Sequence, residues 1–149
     1  MEQLHIKVVE AAGWTAAQIR ASAVTLGAEV TFIDYVGLIK AKASSRYELV
    51  TQVSVDLHTF AQATGITVFA LSQMNREGDS NPDMTCLRES GQLEQDADVG
   101  LILFQEDVND KGGSRTLRIG KNKNGVLGDV PLEFHGATQY FREGRRARE

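Results

Sequence analysis

The sequence predicts an α/β fold in which parallel strands are covered by helices, and two apolar runs carry that prediction. Val30 to Ile33 and Ile66 to Leu71 are short and apolar on both faces, and helical patterns sit before and between them. Strands covered on both faces read as continuous apolar runs, and alternation with helices points to parallel pairing. Val99 to Phe104 reads as a third buried strand. At 149 residues with 42% hydrophobic side chains, the chain suits one domain with a sizeable core. Disorder is thereby excluded as its main state.

The elements follow in order. Leu4 to Val9 is a short β-prone run, and Ala11-Ala12-Gly13 makes a turn. Thr15 is placed to N-cap a helix from about Ala16 to Leu26, which Gly27 ends. Ser45 caps a longer helix, Arg46 to about Ala63, whose Leu49, Val50, Val53, Leu57, Phe60 and Ala61 keep helical spacing up to Gly65. Residues 74–86 are polar and rich in Gly, Asp, Asn and Pro, which predicts a loop. Leu87 to Gln95 reads as a short helix or turn. After a turn at Asp107 to Ser114, strands are expected at Arg115–Ile119, Val130–Phe134 and near Gln139–Phe141. The last residues, from Arg142, form a charged tail expected to fray.

Charge is unevenly spread. Residues 1–110 carry 7 basic and 16 acidic side chains, net −9, whereas residues 111–149 carry 9 and 4, net +5. The chain is not a globally basic nucleic-acid binder, and anion contacts are expected in its last quarter. One cysteine, Cys86, excludes an internal disulfide, and three scattered histidines (His5, His58, His135) make no metal site. No run of about 18 apolar residues and no secretion-type N-terminus is present, so a soluble cytoplasmic protein with no membrane partner is expected.

Four motifs can carry chemistry. Val30-Thr31-Phe32-Ile33 ends in Asp34, a carboxylate at the C-terminal end of a strand, where open α/β sheets bind ligands. Such an acid can hold Mg²⁺ through its waters; equally, strands end in Asp for solubility or helix capping. Leu71-Ser72-Gln73-Met74-Asn75-Arg76 presents an amide that both donates and accepts, suited to orienting water or sensing a phosphate, and equally an ordinary loop start. The polar run from Leu87-Arg88-Glu89-Ser90-Gly91 through Glu94-Gln95-Asp96-Ala97-Asp98 can hold phosphate oxygens of a nucleic acid, or be a capped surface helix. Gly120-Lys121-Asn122-Lys123-Asn124-Gly125 is a hairpin turn whose two lysines can point at a phosphate on a neighbouring subunit.

In order and spacing, these motifs resemble the C-terminal RecA-like motor domain of DnaB-type replicative DNA helicases, from the Thr15 helix to the strand near Phe134. The resemblance implies the C-terminal portion of a RecA-like P-loop NTPase core, a mostly parallel sheet flanked by helices with a C-terminal antiparallel hairpin. That core would span residues 1–141, with 142–149 as the tail. It implies a ring-shaped homohexamer that unwinds duplex DNA 5′-to-3′ on single-stranded DNA with ATP and Mg²⁺, and a primase or loader as partner of the intact parent. Position by position, Asp34 would be the Mg²⁺-side acid, and Gln73 would couple the γ-phosphate to the DNA-binding loop, with Arg76 just beyond. Arg88, Glu89 and Gly91 match the loop that contacts the single-strand backbone, and Lys121 and Lys123 match the pair reaching a neighbour's ATP.

Two departures stand out. The family usually has arginine where this chain has Lys123, so the planar two-bond fork is lost while the charge is kept. No Gly-x-x-x-x-Gly-Lys-Ser/Thr occurs in the 149 residues, and by the resemblance Met1 falls inside the motor domain, after that loop and its following glutamate. The chain taken alone is therefore expected to lack ATPase activity. A second reading is a non-catalytic DNA-binding or subunit-interface module, a split or decayed helicase half. A RecA-type recombination ATPase has a counterpart of the Lys-Asn-Lys-Asn-Gly turn but not of the Arg-Glu-Ser-Gly run.

Overall fold

The computed structural model describes residues 5–74, 82–84, 91–105 and 113–144. They fall into two compact units, Met1–Ser72 and Gln73–Glu149.

In the first unit, α1 (Ala16–Thr25) begins with a full capping box: the Thr15 hydroxyl accepts from the Gln18 N–H, and the Gln18 side chain accepts from the Thr15 N–H. β1 (Val30–Ile33) leads into a 3₁₀ turn over Val36–Leu38. α2 (Arg46–Thr64) is capped by Ser45 and closed by Gly65 at φ 72°, a left-handed position that suits glycine. Glu48 in its first turn accepts from the Ser44 N–H and hydroxyl. These hydrogen bonds, the hydroxyl's first, hold its carboxyl below the ordinary carboxylate value. β2 (Thr67–Ala70) then pairs with β1 in parallel, Val30 opposite Thr67 and Ile33 opposite Ala70.

The core of this unit is the α2 stripe Val50, Val53, Leu57 and Phe60 with Ala16, Ala23, Ile33, Val36, Ile39 and Ile66, all buried. α1 packs on α2, and α2 packs on β2 and the 3₁₀ turn. The parallel pairing and both helices agree with the sequence expectation. The strands differ in one respect: their other face is exposed among the described residues, and Phe32 (69% exposed) stacks on Phe69 at 4.8 Å. Residues 5–9, inside the expected Leu4–Val9 run, form no strand; they are exposed and have no partner strand among the described residues.

The second unit holds α3 (Gly91–Asp96) and a four-stranded antiparallel meander, β3 (Val99–Phe104), β4 (Ser114–Asn122), β5 (Gly128–His135) and β6 (Tyr140–Glu143). The antiparallel part is thus larger than a hairpin, because β3 itself is hydrogen-bonded to β4. Burial along β3 alternates, with Ile102 and Phe104 inside and Val99, Leu101 and Leu103 about half exposed. A fully apolar strand thus behaves as one covered on a single face. β6 takes in Arg142 and Glu143, and Arg142 pairs with Glu133 on β5.

Met84 explains where the small core of this unit sits. It is buried with Ile102 and Phe104, and Met74 packs against them. A Cβ at Gly100 would meet Met84 Cε at 2.5 Å, and one at Gly120 would meet Met84 Cγ at 2.9 Å. The two glycines leave the thioether its room on the sheet. Gly120 is also the extra residue of a bulge, since Gly100 faces Lys121 while Leu101 faces Ile119.

Candidate functional site

Asp34 is exposed at the carboxyl end of β1. Pairing continues on either side of it: the Leu71 N–H donates to the Ile33 carbonyl at 3.0 Å and the Val36 N–H to the Leu71 carbonyl at 2.9 Å. The Asp34–Tyr35 peptide is cis. An exposed carboxylate stands at the end of a parallel pair, where ligands bind in open α/β sheets. Gln73 is exposed three residues beyond β2 and is the first residue of the second unit.

In the second unit, the hairpin lysines and the acidic run before β3 come together. Lys121 Nζ donates to the carbonyls of Glu94 and Gln95, the latter at 2.9 Å, and so binds the C-terminal end of α3. Lys123 Nζ meets Asp98 Oδ1 at 2.6 Å, and the Lys123 N–H donates to the Asp98 carbonyl at 3.0 Å. Helix end and hairpin are thus joined by four hydrogen bonds from two lysines. Gly91 is the first residue of α3 and is exposed. Arg76, Arg88 and Glu89 lie outside the described residues.

The β4–β5 connection is a hairpin, as its Asn-Gly pair predicts, but runs five residues, Lys123 to Leu127, rather than two. Asn122 organises it, its side chain accepting from the Asn124 N–H and donating to the Val126 carbonyl. Among the described residues no helix is long and apolar enough to cross a membrane, and no three His, Cys, Asp or Glu side chains group to hold a metal.

Two residues that the sequence did not single out individually prove central to this unit. Arg118 makes a two-bond pair with Asp129 at 2.8 and 2.7 Å, donates to the Pro82 carbonyl at 2.9 Å, and lies over the Phe104 ring at 5.1 Å. It ties the 82–84 segment to the sheet. Asp98 is the other, and its signal was present: an acidic stretch, 94–98, leads into β3, and a basic one, 118–123, closes the strand β4 that pairs with it.

The comparisons with known proteins agree with this architecture. The family model for the DnaB-like helicase C terminal domain matches residues 1–143. The replicative DNA helicase DnaB of Haemophilus influenzae is 36% identical over 126 residues, covering 77% of this chain and 27% of that protein. The DnaB of Pasteurella multocida is 31% identical over 153 residues, covering 92% of this chain and 32% of the relative. This chain thus spans about a third or less of these relatives. Among solved structures, an ATPase domain superposes with a TM-score of 0.80 at 31% identity, over 87% of this chain and 51% of that one. A DnaB-like replicative helicase, solved in a study of its interactions with primase, gives 0.77 at 34% identity, over 83% and 34%. With a match over nearly its whole length and the helicase fold beneath it, the chain belongs to the family of DnaB-like helicase C-terminal domains.

Proposed function

We propose that this chain forms part of the motor of a cytoplasmic replicative DNA helicase, a ring hexamer that unwinds duplex DNA 5′-to-3′ by moving along single-stranded DNA at the expense of ATP. The observation that carries the reading is Asp34: an exposed carboxylate ending a parallel pair, in a chain matching the helicase family over residues 1–143. A primase or loader is the partner proposed for the intact parent, and a relative was solved in a study of its interactions with primase.

The residues fit the cofactors this requires. Mg²⁺ keeps most of its waters and needs only one or two protein carboxylates, so a lone exposed Asp34 suits it where a three-ligand cluster is not required. When bound, the ion neutralises phosphate charge as the γ-phosphoryl is transferred. Asp34 is the residue that would hold the ion, by accepting hydrogen bonds from its waters. Gln73 uses its amide to sense the γ-phosphate, and Lys121 and Lys123 supply positive charge to the nucleotide of the neighbouring subunit. Arg76, Arg88, Glu89 and Gly91 contact the DNA backbone without reading bases, which makes binding sequence-tolerant and salt-dependent.

A chimera tests this, with the chain replacing the matching stretch of the Haemophilus influenzae relative. The expected result is ATP hydrolysis stimulated by single-stranded DNA and lost in Asp34→Ala. Unchanged turnover in that variant sinks the role of Asp34. A chimera that binds DNA but never hydrolyses ATP supports the non-catalytic module instead.

A further inference from the structure

Lys121 and Lys123 are both engaged within their own chain, but in different ways. Among the described residues the partners of Lys121 are two neutral backbone carbonyls, which orient the ammonium and do not cancel its charge. The partner of Lys123 is a carboxylate, which cancels it. The Lys123–Asp98 pair is also open to solvent, with side chains 47% and 69% exposed, so it is held weakly and its members exchange partners readily. Lys123 is the first residue beyond β4, at the start of an exposed turn, and its stem is free of the ladder that fixes the strand. Its backbone stays anchored to the Asp98 carbonyl, so only the side chain has to swing.

From this geometry we propose that Asp98 is a positioning residue that holds Lys123 in reserve: its carboxylate and an incoming polyphosphate compete for one ammonium. Asp98 therefore sets how tightly the hairpin takes up such an anion, while Lys121 stays seated on the end of α3. The proposal rests on the reading of the hairpin lysines as phosphate ligands and adds the group that regulates one of them.

The test titrates tripolyphosphate into the 149-residue chain and follows the Lys123 side-chain methylene signals by NMR. Asp98→Asn keeps the shape of the side chain and the backbone hydrogen bond to Lys123, and is expected to tighten binding about two- to five-fold. In a Lys123→Ala background, where the overall binding is followed at Lys121, the same substitution is expected to give no gain. A gain of equal size in both backgrounds is a general charge effect and overturns the proposal, as does no gain in either or Lys123 signals that never respond. The helicase reading is judged separately, by hydrolysis in the Asp34→Ala chimera. Coupling at Lys123 with a chimera that is inactive for ATP leaves the Asp98 competition standing and removes only the motor.

Discussion

Arg118 and Asp129 face each other across the β4–β5 pair and share two hydrogen bonds, Nε to Oδ1 at 2.8 Å and Nη2 to Oδ2 at 2.7 Å. The bond from Arg118 is the main reason the Asp129 carboxyl lies below its ordinary value; partial burial works against it, and the arginine's charge adds a smaller lowering. Because Arg118 also holds the Pro82 carbonyl and covers Phe104, the pair supports the attachment of the 82–84 segment to the sheet.

A group whose carboxyl is lowered on folding contributes stability above its unfolded value, near 4, and loses it as pH falls through the lower folded value. Asp129 is about half exposed, so solvent screening holds the contribution to about 1 kcal/mol or less. Asp129→Asn is therefore expected to be destabilised by that amount at neutral pH. Its deficit relative to the parent should shrink as pH falls below about 4. Urea unfolding at a series of pH values checks this, and a deficit that stays constant down to pH 3 rules out the assigned linkage.

The fit of Met84 over two glycines gives a packing prediction. Gly100→Ala places a methyl 2.5 Å from Met84 Cε and 2.7 Å from its sulfur, so the side chain must move within a core it shares with Ile102 and Phe104. Methionine is flexible, which keeps the cost near the lower end for overpacking, about 1 kcal/mol. Combining the change with Met84→Ala should give less than the sum of the two single effects. Strict additivity in thermal or urea unfolding would show that the two positions do not meet.

The helices were legible because their signals are local. Thr15, Ser45 and Gly65 each act within four residues, and the structure places caps at all three. The parallel pair was legible for a related reason: two apolar runs separated by a capped helix leave little choice of connection. The antiparallel pairing of Val99–Phe104 was not, since an apolar run does not say which neighbour supplies its hydrogen bonds. Nor does it say which face a side chain from another segment, here Met84, will cover. The hairpin lysines show the same limit at the site. Their residue types pointed to phosphate, but their partners at Glu94, Gln95 and Asp98 lie 25 to 27 residues away, and only the bulged β3–β4 register brings them together.

The capping box at α1 offers a local test. Thr15 and Gln18 satisfy each other's N–H groups at the entry to the helix, and the Lys40 N–H joins the Trp14 carbonyl beside them at 2.8 Å. Thr15→Ala should cost about 1 kcal/mol, and Thr15→Ser should restore most of it. Should alanine and serine unfold alike, the side-chain oxygen is not what starts α1.

The substitution Lys123→Arg addresses the departure from the family pattern. An ammonium gives a phosphate one strong contact, whereas a guanidinium gives two parallel ones and holds their geometry as charge develops. In the chimera, Lys123→Arg is expected to raise DNA-stimulated kcat by about three- to ten-fold, and Lys123→Ala to lower it on the order of a hundred-fold. The split between kcat and KM matters here, because a contact formed with the transferring phosphoryl group appears in kcat, and one formed equally with bound ATP appears in KM. Asp98 sharpens the distinction: competition from its carboxylate is expected to raise KM where Lys123 holds bound ATP, and to lower kcat where Lys123 meets only the transferring group. If Lys123→Arg changes KM only, the residue helps to hold the neighbour's nucleotide without assisting its hydrolysis. Lys121, seated on the carbonyls at the end of α3, is then the cation left to act on the reacting phosphate.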